Sequence, residues 1–158
     1  MKGLICMSLQ VLRVRGSKVA KRFANKQFRL LCEDYNQVVQ IVDGLKEILD
    51  KKQYNKGDIH SIPTAFEAIN SVYGHASMIS ADLENTIAEL TERLREIDSY
   101  KESHAVGLLT SIRIEYMTNL VIYLREMKKE VDAIADEIWF VINTISEIEE
   151  FEELKFFE

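Results

Sequence analysis

Residues that interrupt or cross-link a chain are scarce in this sequence. It has one proline, six glycines and two cysteines among 158 residues. A chain with so few helix-breaking residues is expected to form long, uninterrupted secondary-structure elements. Two cysteines do not make a disulfide framework, so the sequence predicts a protein of the reducing cytoplasm. An apolar run of about 18 residues, which a membrane helix needs, does not occur either, so no transmembrane segment is predicted.

Catalytic and metal-binding patterns are also missing from the sequence. His60, His75 and His104 fall in a predicted loop, a helix and a turn, so no two have the i, i+4 spacing of a helical metal pair. None has a glutamate three residues before it, as di-iron helical bundles require. Glycine-rich phosphate loops and Cys-x-x-Cys pairs do not occur. We therefore expect no enzyme activity, no cofactor and no metal site.

Apolar residues recur at steps of three and four over three long blocks, and only a helix places such positions on one face. In the first two blocks the steps between successive apolar residues alternate between three and four, which is the heptad pattern of packed helices. The third block carries a wider apolar stripe, which favours more than one neighbouring helix. The three series are Phe28, Leu31, Tyr35, Val38, Val42, Leu45 and Leu49; Phe66, Ile69, Tyr73, Ala76, Ser80, Leu83, Ile87, Leu90, Leu94 and Ile97; and Leu109, Ile112, Tyr116, Leu120, Tyr123, Met127, Val131, Ile134, Ile138, Val141, Ile145 and Ile148.

These blocks predict an all-α fold, an elongated antiparallel three-helix bundle of coiled-coil type. Its helices are expected at about residues 18–53, 63–99 and 104–155. A chain of 158 residues with 47% hydrophobic and 29% charged residues is globular in composition. It is also long enough to bury a substantial core. Residues 17–158 are therefore expected to form one helical domain.

Two short connections separate the predicted helices. Residues 54–63 contain turn-forming asparagine and glycine, and the proline at their end is expected to begin the second helix. Residues 99–104 are expected to form the second turn, with Ser103 capping the third helix. Gly44 and Gly74 lie inside helices, where glycine destabilises by about 1 kcal/mol relative to alanine. Gly44 is interpreted as a place where a neighbouring helix comes close, and Gly74 as a place where the second helix either bends or admits a close neighbour.

Residues 1–16 form an arm whose pattern leaves its structure open. The stretch 11–15 partly alternates between apolar and basic residues, as an exposed strand does. A lone strand would need a second copy or a partner to pair with. A second interpretation is a short helix that adds a fourth element to the bundle, and a third is a weakly ordered arm, which is the expectation adopted for this segment. The apolar face of that helix would consist of Leu4, Ile5, Leu9 and Leu12.

Charge is divided unequally along the chain. Residues 1–32 contain eight basic and no acidic residues, a net charge of +8, whereas residues 33–158 contain 12 basic and 26 acidic residues, a net charge of −14. Three explanations stay open: ordinary surface charge, contact with a protein or a second copy, and binding of nucleic acid or an anionic membrane. The candidate anion-contacting residues are Arg13, Arg15, Lys18, Lys21, Arg22, Lys26 and Arg29.

The end of the third helix is rich in aromatic residues. This helix is predicted to be the longest, so its C-terminal end is expected to overhang the other two. Exposed aromatic clusters usually mark contact surfaces. Trp139 and Phe140, in contrast, are interpreted as core anchors. The candidate partner-binding residues are Phe151, Leu154, Phe156 and Phe157.

These features together predict a non-enzymatic interaction or assembly protein. It would bind a protein partner or a second copy of itself through apolar helix faces, with polarised charge setting the orientation. The alternative is a small regulatory protein that binds nucleic acid through its basic N-terminal segment.

Overall fold

The computed structural model describes residues 17–50, 55–103 and 107–153. These residues form three α-helices and include no strand. The helices pack against one another, which confirms the predicted all-α three-helix bundle. The helices are α1 Ser17–Leu49, α2 Lys56–Ser103 and α3 Leu108–Glu153.

The chain divides into two compact units, and every helix contributes to both. The first unit consists of Met1–Phe28 and Met78–Val131, and the second of Arg29–Ser77 and Asp132–Glu158. Each unit therefore has its own portion of α1, α2 and α3 and its own set of buried side chains.

The second unit has a core of large branched side chains. All three helices contribute to it at seven-residue spacing, as the heptad series of the sequence predict. Ile69 and Ile138 are completely buried. Burying a side chain of this size stabilises the folded state by about 1.5–3 kcal/mol. The buried cluster consists of Val38, Leu45, Ile62, Ile69, Ile138, Ile142 and Ile145.

Helix α2 begins at Lys56 rather than at Pro63, which lies inside the helix. This corrects the predicted loop at residues 54–63. Pro63 has no backbone N–H to donate to the carbonyl four residues earlier, and an interior proline costs about 3 kcal/mol. The helix nevertheless continues on the N-terminal side of Pro63 because Ile62 is almost completely buried in the core of the second unit. That burial stabilises by about 1.5–3 kcal/mol and offsets much of the cost.

The other end of α2 also differs from the prediction. The helix runs through the expected turn at residues 99–104 as far as Ser103, so Ser103 ends α2 instead of capping α3. Tyrosine, lysine and glutamate in this stretch are all compatible with a helix. The break falls nearer Gly107, which directly precedes α3. The backbone N–H of Ser111 donates to the Gly107 carbonyl at 3.2 Å and closes the first turn of α3.

The first unit has buried side chains of more varied size. Leu124 of α3 is completely buried, whereas its neighbour Tyr123, which the sequence placed in the apolar stripe, is exposed. Ile112, from the same predicted stripe, is also exposed. Leu124, Val131, Ile138 and Ile145 are buried at seven-residue intervals along α3, and neither Tyr123 nor Ile112 belongs to that series. The buried residues of this unit are Ala20, Ala24, Ile79, Leu83, Leu90, Leu120, Val121, Leu124, Met127 and Val131.

The two helical glycines are not close-contact positions. Gly44 and Gly74 are both exposed, and a Cβ atom added to either would have no described neighbouring atom within 4 Å. Their interpretation as sites of close helix approach is therefore wrong.

Candidate interaction surfaces

The predicted C-terminal cluster lies at the edge of the described chain. Leu154, Phe156 and Phe157 are outside the described residues, and Phe151 is described only as part of the α3 backbone. Helix α3 is described over 46 residues and α2 over 48, and residues 154–158 lie outside the described residues, so the predicted greater length of α3 stays a prediction. The contact role of this cluster stays a prediction.

Four of the seven candidate anion-contacting residues have described side chains, and all four are exposed on α1. Arg13 and Arg15 lie outside the described residues, as does the side chain of Lys18. The first unit contains three of the exposed residues, and the second unit contains Arg29. The exposed residues are Lys21, Arg22, Lys26 and Arg29.

Tyr123 connects the basic part of α1 to α3 in the first unit. The Lys21 Nζ lies 4.9 Å from the centre of the Tyr123 ring, a cation–π contact worth about 0.5–1 kcal/mol at an exposed site. The Tyr123 hydroxyl donates a hydrogen bond to Oδ1 of Asn25. Lys21 is therefore held against α3, although its side chain remains exposed.

Trp139 and Phe140 of the second unit are exposed, so their interpretation as core anchors is wrong. Half of Trp139 and 72% of Phe140 are accessible to solvent. The Trp139 ring lies 5.4 Å from the ring of Tyr73 on α2, at an interplanar angle of 36°. Such tilted pairs contribute about 0.5–1.5 kcal/mol beyond their buried area. We call Tyr73, Trp139 and Phe140 the aromatic surface.

The spacing of the apolar residues on α3 could have predicted the exposure of Trp139 and Phe140. Ile138 and Val141 belong to the predicted apolar stripe at a step of three, so the two residues between them point away from it. Residues on a helix are about 100° apart, because a turn takes 3.6 residues. Hydrophobicity favoured burial of Trp139 and Phe140, but helical geometry decided their position.

A groove between α1 and α3 lies in the second unit and has a volume of about 140 Å³. Val39 and Val141 contribute apolar side chains to it, and Asp43 and Lys46 contribute charged ones. The Tyr35 hydroxyl spans the two helices by donating a hydrogen bond to Oε2 of Glu137. That bond, together with burial and the charge of Glu137, raises the pKa of Tyr35 above its ordinary value. Tyr35 therefore stays a protonated donor.

One histidine forms a polar pair in the second unit. Nδ1 of His75 on α2 lies 3.0 Å from Oδ2 of Asp34 on α1. Asp34 and His75 are far apart in the sequence, so no local sequence pattern predicts their contact. His60 is exposed, and His104 lies outside the described residues. Within the described parts of the chain, no group of three or more His, Cys, Asp or Glu residues is arranged to hold a metal ion.

Asp82 has the most unusual environment in the first unit. Its Oδ2 atom is buried and has no hydrogen-bond partner among the described residues. It lines a small cavity of about 20 Å³ with Ala20, Ala24 and Leu124. Burial raises the pKa of the carboxyl group. The cavity has room for about one water molecule, which is too little for an organic ligand.

None of the three helices, over the residues described, has a stretch long and apolar enough to cross a membrane. Comparison of the chain with protein-family models, with curated proteins and with solved structures gave no match.

Proposed function

We propose that this chain is a non-enzymatic interaction protein that binds a protein partner, or a second copy of itself, through the aromatic surface of its second unit. The observation that carries the proposal is the exposure of Phe140 beside Trp139 in the middle of a long helix. Burying one phenylalanine stabilises a complex by about 1.5–3 kcal/mol. Tryptophan and tyrosine are also the residues that most often dominate binding energy at interfaces.

The Tyr73 contact supports this role for Trp139. A ring packed at 5.4 Å against another ring has less freedom than an isolated exposed side chain. Ordering a flexible side chain on binding costs about 0.5–1.5 kcal/mol. A tryptophan that is already oriented avoids part of that cost.

The charge of the surrounding helix suggests the chemistry of the partner. From Glu130 to Glu153, α3 contains acidic residues and no lysine or arginine. A partner that places apolar side chains on Trp139 and Phe140 would be favoured if it also carried basic residues at the edge of the contact. The basic stretch at residues 13–29 of a second copy has this charge, and an unrelated basic amphipathic helix would satisfy the same requirement.

The test compares the full chain with Phe140→Asp and with Ile122→Asp as a matched control. Ile122 lies in the first unit and has 55% exposure, so its substitution changes charge by the same amount without touching the aromatic surface. Affinity capture from the native host with quantitative mass spectrometry should recover a partner whose yield falls about tenfold with Phe140→Asp, a loss of about 1.4 kcal/mol. The Ile122→Asp control should recover the same partner in unchanged yield. Light scattering over a concentration series tests self-association in the same way.

The proposal fails if every captured protein is recovered equally by both variants and the unmodified chain scatters as a monomer at all concentrations. In that case the exposed aromatic residues are surface residues without a partner.

Nucleic-acid binding is the second candidate, and the exposure of Lys21, Arg22, Lys26 and Arg29 favours it. Phosphate contacts of this kind weaken steeply with salt. Gel shift against a generic duplex and a single strand should show retardation at low salt that is lost when Arg22 and Lys26 are changed to glutamate. No retardation at low salt would eliminate this candidate.

A further inference from the structure

An exposed ring and an open groove lie side by side in the second unit. Phe140 follows Glu137 by one turn of α3 and directly precedes Val141, and both of those residues line the groove between α1 and α3. Residues three apart on a helix are neighbours on its surface. Phe140 is not part of the described lining of the groove and is 72% exposed. The ring therefore stands at the edge of a groove that it does not fill.

The groove is mostly apolar and is about the size of a phenyl ring. Its volume is about 140 Å³. An apolar cavity of about 150 Å³ holds a benzene ring. Val39 is 42% exposed, so the α1 wall of the groove reaches the protein surface and a ring can enter from outside. The apolar side chains of the two walls are Val38, Val39, Val42, Ile138 and Val141.

We propose that the occupant of the groove is a second copy of this chain, with the Phe140 ring of each copy in the α1–α3 groove of the other. The inference rests on the proposed function and names its partner. In a twofold dimer the same surface contacts itself, so each copy must present both the ring and the groove. Residues 137 and 141 line the groove on either side of Phe140, so ring and groove lie at one level of α3. A twofold axis at that level brings each ring opposite the other groove.

The surroundings of Phe140 permit close approach of a second helix. Ala133 and Thr144 are exposed about two turns before and one turn after Phe140 on α3, and both are small. The Thr144 hydroxyl donates a hydrogen bond to the Phe140 carbonyl at 2.9 Å. Burying Thr144 in a dimer would therefore leave its hydroxyl with a partner and avoid the cost of an unsatisfied polar group.

Charge also favours a second copy. Asp43 and Glu137 line the groove, so placing another acidic helix there without a cation would be unfavourable. Lys46 supplies that cation from the α1 wall. Asp136 is exposed one turn before Phe140, so it comes beside this wall when the ring enters the groove of the other copy. A twofold dimer would contain this pair of opposite charges twice.

Mixing two variants of the full chain tests the proposal. Phe140→Ala removes the ring, and Val39→Asp places a charge in the groove. Each variant alone loses both contacts, so light scattering over a concentration series should show dimerisation weakened about hundredfold. An equimolar mixture should associate about tenfold more tightly than either variant alone, because one ring still meets one intact groove.

The matched controls are Ile122→Ala on α3 and Gln40→Asp on α1. Both residues are exposed and lie outside the described lining of the groove. Dimerisation of both controls should be unchanged. Circular dichroism should show the helix content of the unmodified chain in every variant, because all four positions are exposed.

A charge exchange keeps the test decisive if Val39→Asp disturbs folding. Lys46→Glu and Asp136→Lys should each weaken dimerisation about fivefold, because each places like charges together at the edge of the contact. The two substitutions combined in one chain should restore it, since the lysine of one copy then meets the glutamate of the other.

The inference is overturned if the unmodified chain is a monomer at all concentrations, if neither Phe140→Ala nor Val39→Asp weakens its dimer, or if the mixture is as weak as the separate variants. Its failure is distinguishable from failure of the proposed function. A monomeric chain that still loses a captured protein with Phe140→Asp would have a different protein as its partner, and the proposed function would stand.

Discussion

The two units share a heptad repeat on α1 but fill it with side chains of different size. In the second unit the repeat places Leu31, Val38 and Leu45 in the core, all buried. One heptad earlier, in the first unit, the same series reaches Ala24. The first unit has a cavity beside Ala24 and a buried Asp82 oxygen for which the described part of the chain offers no hydrogen-bond partner. Periodicity determines which side of a helix is buried, and side-chain volume determines how well that side is filled.

The largest change in stability is expected when a core side chain of the second unit is replaced by alanine, the residue that the same α1 series has in the first unit. Leu31 is completely buried, so Leu31→Ala removes a core side chain and leaves a cavity, which should destabilise the protein by about 2–5 kcal/mol. Val39→Ala is the control on the same helix, and because Val39 is exposed it should change stability by less than about 0.5 kcal/mol. Urea denaturation measures both. Equal losses would mean that burial of the Leu31 side chain does not set the stability of the second unit.

A smaller effect is expected at the start of α2. Pro63→Ala restores a backbone hydrogen bond and removes the crowding of the ring. The substitution also increases the conformational freedom of the unfolded chain, which lowers stability by about 0.4–1 kcal/mol. The net stabilisation should therefore be about 2 kcal/mol. Pro63→Gly should gain about 1 kcal/mol less than alanine because glycine is a poor helix former. A destabilised Pro63→Ala variant, measured by thermal unfolding, would show that the proline is accommodated without strain.

The smallest effect concerns Asp82 of the first unit. Burial raises its pKa, so the folded protein binds the proton at higher pH than the unfolded chain does. Its stabilising contribution is complete below the ordinary aspartate pKa of about 3.9 and is lost as pH rises through the folded-state pKa. Asp82→Asn should lack this loss and be more stable than the unmodified protein at pH 7, because the amide does not ionise.

Urea denaturation across pH 4 to 7 measures the Asp82 effect, with the exposed Asp98→Asn as control. The stability difference between Asp82→Asn and the unmodified protein should grow with pH, and that of the control should stay constant. A difference that is constant for both variants would show that the Asp82 carboxyl ionises as easily in the folded protein as in the unfolded chain.

The boundaries of α2 show where local reasoning fails. Glycine, asparagine and proline at residues 54–63 are turn formers, yet the helix includes Pro63 because Ile62 joins a core assembled from all three helices. Serine and lysine at residues 99–103 looked like a turn, although nothing there forbids a helix. At Pro63 the local cost of about 3 kcal/mol is largely offset by the burial of Ile62, which stabilises by about 1.5–3 kcal/mol.

The candidate surfaces were predictable to different degrees. The exposure of the basic residues on α1 follows from their spacing, since they fall between the apolar positions. The exposure of Trp139 and Phe140 followed from the same geometry but was obscured by their hydrophobicity. The His75–Asp34 pair depends on which residues of two different helices lie at the same level of the bundle. No single helix contains that information.

The sequence by itself determined that the described part of the chain forms three long helices and which stripe of each is apolar, because a period of 3.6 residues is a property of one chain segment. Tertiary structure alone decided that α2 includes its proline and that the Oδ2 atom of Asp82 is buried. Those outcomes depend on side chains brought together from separate helices, where burial and packing outweigh local preference.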